Sequence, residues 1–139
     1  TYENANITCD IIVGFPGETD EEFECTYSLL KKLKLNKLHV FQYSKREGTV
    51  AAKMPNQVEP DIKHERSQRL IMLSESVEKD ILCKYVGKKV KILTEEIDGE
   101  YTKGFTDNYL HCKVIGNIEC NEIVEAKVID IQDNYLICE

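Results

Sequence analysis

The sequence predicts an α/β unit followed by a small all-β barrel. Before Ser44, an apolar run (Ile7–Val13), a glycine turn, an amphipathic stretch and a second apolar run (Lys37–Tyr43) follow in the order strand, helix, strand. From Lys88 onward the hydrophobic period becomes two, and turn dipeptides recur at Asp98-Gly99, Asp107-Asn108, Gly116-Asn117 and Asp133-Asn134. A length of 139 residues accommodates one domain or two small ones. The predicted units are residues 1–85 and 86–139, divided near Tyr85–Lys88.

Ile7–Val13 is apolar on both faces, which predicts a parallel strand covered by helices on both sides. Thr19 or Asp20 caps a helix running from Asp20 to about Leu33, with Phe23, Tyr27, Leu30 and Leu33 at helical spacing. Acidic residues fill its first turn and Lys31, Lys32 and Lys34 its last, each sign matching the helix dipole. Lys37–Tyr43 is the second strand of a right-handed βαβ unit. Ser44–Val58, with Gly48 and Pro55, reads as a loop with little regular structure. Pro60 opens a long helix, about Glu59–Tyr85, with an apolar stripe at Ile62, Leu70, Leu73, Val77 and Ile81 and a stop at Gly87. The barrel strands are Lys88–Glu95, Tyr101–Thr106, Tyr109–Val114, Ile123–Asp130 and Tyr135–Cys138, in an OB-like or SH3-like closure.

Lys+Arg 18 against Asp+Glu 25 gives a net charge of −7, which favours solubility and speaks against broad nonspecific nucleic-acid binding. No apolar run reaches transmembrane length and no signal segment opens the chain, so a cytoplasmic protein without membrane contact is expected. The first residue is Thr1, not Met, which reads as a piece cut from a longer protein. The six cysteines form no CxxC or CxxxCxxC cluster and are expected to be reduced and mostly buried, with no metal or iron–sulfur site in this chain. His39, His64 and His111 are isolated in sequence and read as structural.

Three constellations can carry chemistry. Gly14, Phe15, Pro16, Gly17 and Glu18 form a turn after a buried strand, the position where α/β proteins bind ligands; a plain strand-to-helix turn is the alternative. The segment Tyr43–Thr49 leaves the neighbouring strand at the same rim, and its Arg46 can clamp a carboxylate or phosphate, unless the run is merely solvated. In the barrel, Phe105 and Tyr109 can stack on bases and Thr106 and Asn108 can hydrogen-bond to nucleotides, with Lys88 and Lys103 as phosphate contacts; an ordinary hairpin turn with packed aromatics is the alternative. Val86–Glu139 holds six basic and eleven acidic residues, net −5, so an RNA contact there has to be local.

The order DIIVGFPGET (Asp10–Thr19), LHVFQYSKREGTVAAKM (Leu38–Met54), a long helix with Arg66 and Arg69, and GFTDNYLHCKV (Gly104–Val114) resembles the C-terminal part of the radical-SAM tRNA methylthiotransferases over nearly the whole chain. The wording is most similar to the branch acting on threonylcarbamoyladenosine, then to that acting on isopentenyladenosine; the branch acting on a ribosomal protein is also similar. The resemblance implies an α/β fragment, the last βαβ part of a partial TIM-like radical-SAM barrel plus a long helix, followed by a small TRAM barrel that is OB-like. It implies that the parent enzyme methylthiolates C2 of a modified adenosine at tRNA position 37, using S-adenosylmethionine and two 4Fe-4S clusters. None of these cofactors is expected bound to this fragment, which lacks the cluster cysteines and is expected to be inactive alone. Gly14–Glu18 and Arg46 would face S-adenosylmethionine, and the TRAM part would hold tRNA. Expected partners are tRNA, the missing N-terminal parts of the same chain and, for the isolated piece, further copies of itself. A scaffold or RNA-binding module without catalytic role is the competing expectation.

Overall fold

A computed structural model describes residues 5–139. It contains two compact units, Ile7–Val77 and Glu78–Glu139, and the division falls within one helix.

The first unit runs β1 (Thr8–Val13), α1 (Asp20–Leu33), β2 (Lys37–Gln42), α2 (Val50–Lys53) and the greater part of α3 (Pro60–Cys83). β1 and β2 are parallel, with Cys9 opposite Leu38 and Ile11 opposite Val40. Parallel pairing requires a crossover, and α1 supplies it. A capping box starts α1: Glu22 N–H donates to Thr19 Oγ1 at 3.2 Å and Thr19 N–H donates to Glu22 Oε2 at 2.9 Å. The helix ends on Lys34 in the left-handed region, whose N–H returns to the Leu30 carbonyl.

Val13, Phe23, Leu30, Leu38 and Leu70 form this unit's buried core, with Cys9, Ile11, Val40 and Leu73 packed against it. Each large apolar side chain buried there contributes about 1.5–3 kcal/mol. The strand residues of this core alternate along β1 and β2, so they share one face, which α1 and α3 cover. Ser74 of α3 also accepts the Leu38 N–H at 2.9 Å, pairing an edge donor that no third strand takes among the described residues. The other face is open. Ile12 is 58% and Phe41 53% exposed, so the expected cover on both sides is corrected to one side. The segment expected as loop contains the one-turn α2, capped by Thr49.

The second unit is a closed five-stranded barrel of β3 (Lys89–Asp98), β4 (Tyr101–Thr106), β5 (His111–Ile115), β6 (Ile123–Gln132) and β7 (Tyr135–Cys138). The order around it is β3-β4-β5-β7-β6, with β5 and β7 parallel and the other pairs antiparallel. Ile92, Cys112, Val114, Val128, Leu136 and Cys138 fill the interior together with Leu82 from the end of α3. It is Leu82, not the expected Ile81, that is buried.

Three threonines are also buried, and each hydroxyl has a partner: Thr94 with the Glu119 carbonyl at 2.7 Å, Thr102 with the Gly116 carbonyl at 2.8 Å and Thr106 with Asn108 Oδ1 at 2.6 Å. Gly104 lets β4 pass close to β3, because a Cβ there would run into the Leu93 carbonyl. Asp133 and Asn134 both take positive φ, as a two-residue hairpin turn between β6 and β7 requires.

All six cysteines are free. Only Cys112 and Cys138 are buried, while Cys25 and Cys83 are exposed, which corrects the expectation of mostly buried thiols. The Cys112 thiol is pushed up by its hydrogen bond with Cys138 and by burial. Among the described residues, no helix is long and apolar enough to cross a membrane.

Candidate functional site

β1 and β2 end side by side at Val13 and Gln42, so the loops leaving them begin at one rim. They meet there: the Phe15 and Tyr43 rings pack edge to face with centroids 5.4 Å apart, and Tyr43 N–H donates to the Val13 carbonyl. Phe15 remains exposed, and the Tyr43 hydroxyl is buried without a hydrogen-bond partner among the described residues. Gly14 has φ +71°, and the space a Cβ would occupy is filled by the Lys63 side chain. Bare backbone at Gly14 therefore admits a lysine stem from α3. At Gly17, with φ +91°, nothing fills that space. Pro16 is buried in the turn, and Gly17 N–H donates to the Asn56 carbonyl at 2.8 Å.

Glu18 is tied into the turn. Its Oε2 accepts from Gly14 N–H at 2.6 Å and from Arg66 Nη1 at 2.6 Å. Arg66 is 4% exposed; its second branch reaches Asp20 Oδ1 at 2.6 Å, and its guanidinium lies over Phe23. Burial works against the Arg66 charge, but the hydrogen bonds with Asp20 and Glu18 outweigh it and hold the pKa above its ordinary value. One turn on, Arg69 pairs with Glu24 at 2.6 Å and lies over Phe23 and Tyr27. Arg46 is exposed; its carbonyl accepts from the Thr49 hydroxyl at 2.8 Å, at the start of α2. Sequence reasoning noted Arg66 but gave it no role. Its signal is position, since residues 66, 70, 73 and 77 lie on one helical stripe and Arg66 is the charged member.

The barrel candidates fall into three groups. Lys88, Asn108 and Tyr109 line a hollow of about 710 Å³ with Tyr85, Lys89 and Lys91. Phe105, Thr106 and Tyr109 line a smaller one of about 370 Å³ whose walls include Leu93 and Ile123. Lys103 lies apart from both hollows and pairs with Asp98 at 2.7 Å. That hydrogen bond raises the Lys103 pKa and holds the Asp98 carboxyl below its usual range.

Thr106 and Asn108 are engaged in the turn itself. Thr106 Oγ1 contacts Asn108 Oδ1 and accepts from Leu110 N–H, and Asn108 Nδ2 donates to the Tyr85 hydroxyl at 2.9 Å. Tyr109, at φ +62°, is turned out to solvent. The structure also brings His111 beside Phe105, Tyr135 beside His111, and Lys113 over the Tyr135 ring; sequence reasoning read His111 as structural and gave Lys113 and Tyr135 no site role. Alternation places His111 and Lys113 on the outer face of β5, but only the strand register puts His111 opposite Phe105 and Lys113 opposite Lys103. Among the described residues, no group of three or more His, Cys, Asp or Glu side chains is placed to hold a metal ion.

No protein-family model matches the chain. Threonylcarbamoyladenosine tRNA methylthiotransferase MtaB of Bacillus subtilis is 43% identical over 129 residues, covering 88% of this chain and 29% of that protein. The tRNA-2-methylthio-N(6)-dimethylallyladenosine synthase of Acetivibrio thermocellus is 40% identical over 128 residues, 92% of this chain and 26% of that protein. Ribosomal protein uS12 methylthiotransferase RimO of Clostridium botulinum is 40% identical over 141 residues, 96% of this chain and 32% of that protein. The chain thus spans about a third or less of the curated relatives it matches.

Proposed function

Taking the chain's match to a C-terminal part of the methylthiotransferases as the premise, we propose that it belongs to an enzyme that methylthiolates C2 of N6-threonylcarbamoyladenosine at tRNA position 37. The observation that carries this reading is the 43% identity over 88% of the chain to a relative named for that substrate. Ile7–Val77 would be the last βαβ part of a TIM-like radical-SAM barrel, and the five-stranded unit a TRAM barrel that holds tRNA. Its strand order, with one parallel pair closing it, supports an OB-like relationship.

The residues at the strand-end rim fit S-adenosylmethionine. Phe15 offers an exposed ring, Tyr43 a hydroxyl in need of a partner, and Gly17 open backbone. Arg46, exposed on the neighbouring loop, supplies a cation. Bound there and cleaved by one electron delivered from a cluster elsewhere in the parent enzyme, the cofactor would supply the radical that activates the adenosine. Glu18 holds the turn through Gly14 and Arg66 and so fixes where the rim residues stand. The described residues do not fit an iron–sulfur cluster, and no step is assigned to one in this chain. Purified alone, the chain is expected to be colourless and unable to cleave S-adenosylmethionine. The open face of β1 and β2 is expected to drive self-association of the isolated chain.

Nucleoside mass spectrometry of total tRNA, before and after deletion of the gene encoding this chain, tests the reading. Loss of the methylthio group from threonylcarbamoyladenosine supports it. Loss only from the dimethylallyl nucleoside moves the substrate to the sister branch. Unchanged tRNA with an unmethylthiolated ribosomal protein overturns it.

A further inference from the structure

The barrel's outer face carries a continuous row of apolar and aromatic side chains that follows the strand register. Ile123 of β6 is opposite Leu93 of β3, Leu93 is opposite Phe105 of β4, and Phe105 is opposite His111 of β5. The row continues to Tyr135 of β7, whose ring lies 5.3 Å from that of His111. Phe105 and His111 are 4.6 Å apart, and the exposed Tyr109 ring stands 6.5 Å from Phe105. Alternation puts the neighbouring residues of these strands, Ile92, Thr106, Cys112 and Leu136, inside the barrel, so the rings belong to its outer surface. The hollow beside Phe105 and Tyr109 is half open to solvent, and Leu93, Ile123, Lys91, Glu95 and Asp107 also line it.

Two cations lie one row along, outside the lining of that hollow, whose acidic members are Glu95 and Asp107. Lys103 and Lys113 are register partners one row along from Phe105 and His111. Like charges directly opposite each other across strands are unfavourable. Asp98 relieves part of this, its carboxyl held low first by the Lys103 hydrogen bond and charge and also by Lys113. Lys113 Nζ lies 4.6 Å from the centre of the Tyr135 ring. A phosphate between the two ammonium groups would relieve the rest, while rings alongside take the attached bases.

We propose that the row Phe105–His111–Tyr135, with Tyr109 overhanging it, is a stacking platform for unpaired bases of single-stranded RNA, with the linking phosphate on Lys103 and Lys113. This deepens the reading of the barrel as a tRNA holder and rests on it. It also moves the phosphate contact away from Lys88 and onto Lys103 and Lys113. Stacking tolerates the barrel's net negative charge, because a base carries no charge and only about two phosphates need cations.

The test is fluorescence anisotropy of labelled single-stranded oligoadenylate titrated with the full chain, with the same strand paired to oligouridylate as comparison. The single strand is expected to bind more tightly than the duplex, with a shallow salt slope of about −1.4 for two phosphates. Phe105→Leu and Tyr135→Leu keep apolar packing and remove a ring; each is expected to weaken binding about tenfold. Should either fail to fold by circular dichroism, Tyr109→Asn, at an exposed position whose backbone suits asparagine, still reports on the rings. Binding unchanged in the ring variants but lost in Lys88→Gln/Lys89→Gln overturns the platform while leaving the barrel an RNA binder. Equal affinity for duplex and single strand also overturns it. No RNA binding by the unaltered chain removes both the platform and the reading beneath it, and a protein ligand would then have to be sought for the row.

Discussion

The strand-end rim and the barrel's outer face use their polar side chains in opposite ways. At the rim, the residues that make the sequence recognisable are occupied by one another: Gly14 by Lys63, Glu18 by Gly14 and Arg66, and Asp20 by Arg66. On the barrel, the hydrogen-bonding threonines are spent inside, while the rings and two lysines lie on the outer face, Tyr109 and His111 exposed and Phe105, Tyr135, Lys103 and Lys113 half-buried. The recognisable motif is thus largely a device for holding a turn, whereas the plainer barrel sequence leaves more surface for a ligand. A motif's distinctiveness reflects how tightly its geometry is specified, and that need not coincide with where a ligand touches.

The largest effect that can break the comparison is at Arg66. Arg66→Met should destabilise the α/β unit by about 3 kcal/mol, because it removes the cation paired with the largely buried Glu18 carboxylate and leaves it only the Gly14 N–H. Amide hydrogen exchange read residue by residue should show the loss at Val13, Phe23 and Leu70. Faster exchange at Ile92 or Val128 instead would mean that Arg66 does not act through the rim. Gly104→Ala comes next: with the Leu93 carbonyl in its way, the added methyl should cost about 2 kcal/mol, read as a lowered urea midpoint of the barrel strands. Thr19→Ala removes the cap of α1 and should cost about 1 kcal/mol, read as a lowered urea midpoint of the α/β unit.

The smallest effect concerns exposed carboxylates in both regions. Glu24 is held below its ordinary pKa by the Arg69 hydrogen bond, and Asp98 by that of Lys103. Because the folded pKa is depressed, each pair's stabilisation is present at neutral pH, above the unfolded carboxylate value of about 4. It is lost as the pH falls through the folded value. Carbon-13 titration should place both midpoints below those of unpaired carboxylates, and Arg69→Gln should raise only that of Glu24.

Elements with local signals were legible in the sequence. The capping box at Thr19 and Glu22, the proline at the start of α3 and the Asp133-Asn134 turn lie within a few residues of what they control. What fills the space at Gly14 was not legible, because Lys63 comes from a distant helix and only packing brings it there. Nor was the sequence of neighbours from Phe105 to His111, from His111 to Tyr135 and from Tyr135 to Lys113. Alternation gives each residue a face, but register across three strands sets its neighbours, and no local pattern encodes that. The open face of β1 and β2 escaped for a related reason: an apolar strand reads the same whether or not both its faces are covered.

The contrast between the two regions is tested most directly by nitrogen-15 amide shifts of the full chain titrated with single-stranded oligoadenylate. Saturable shifts centred on Phe105, His111 and Tyr135, with Gly14–Glu18 and Arg46 unmoved, are the expected result. Shifts centred on the Gly14–Glu18 turn with the barrel face silent would contradict it.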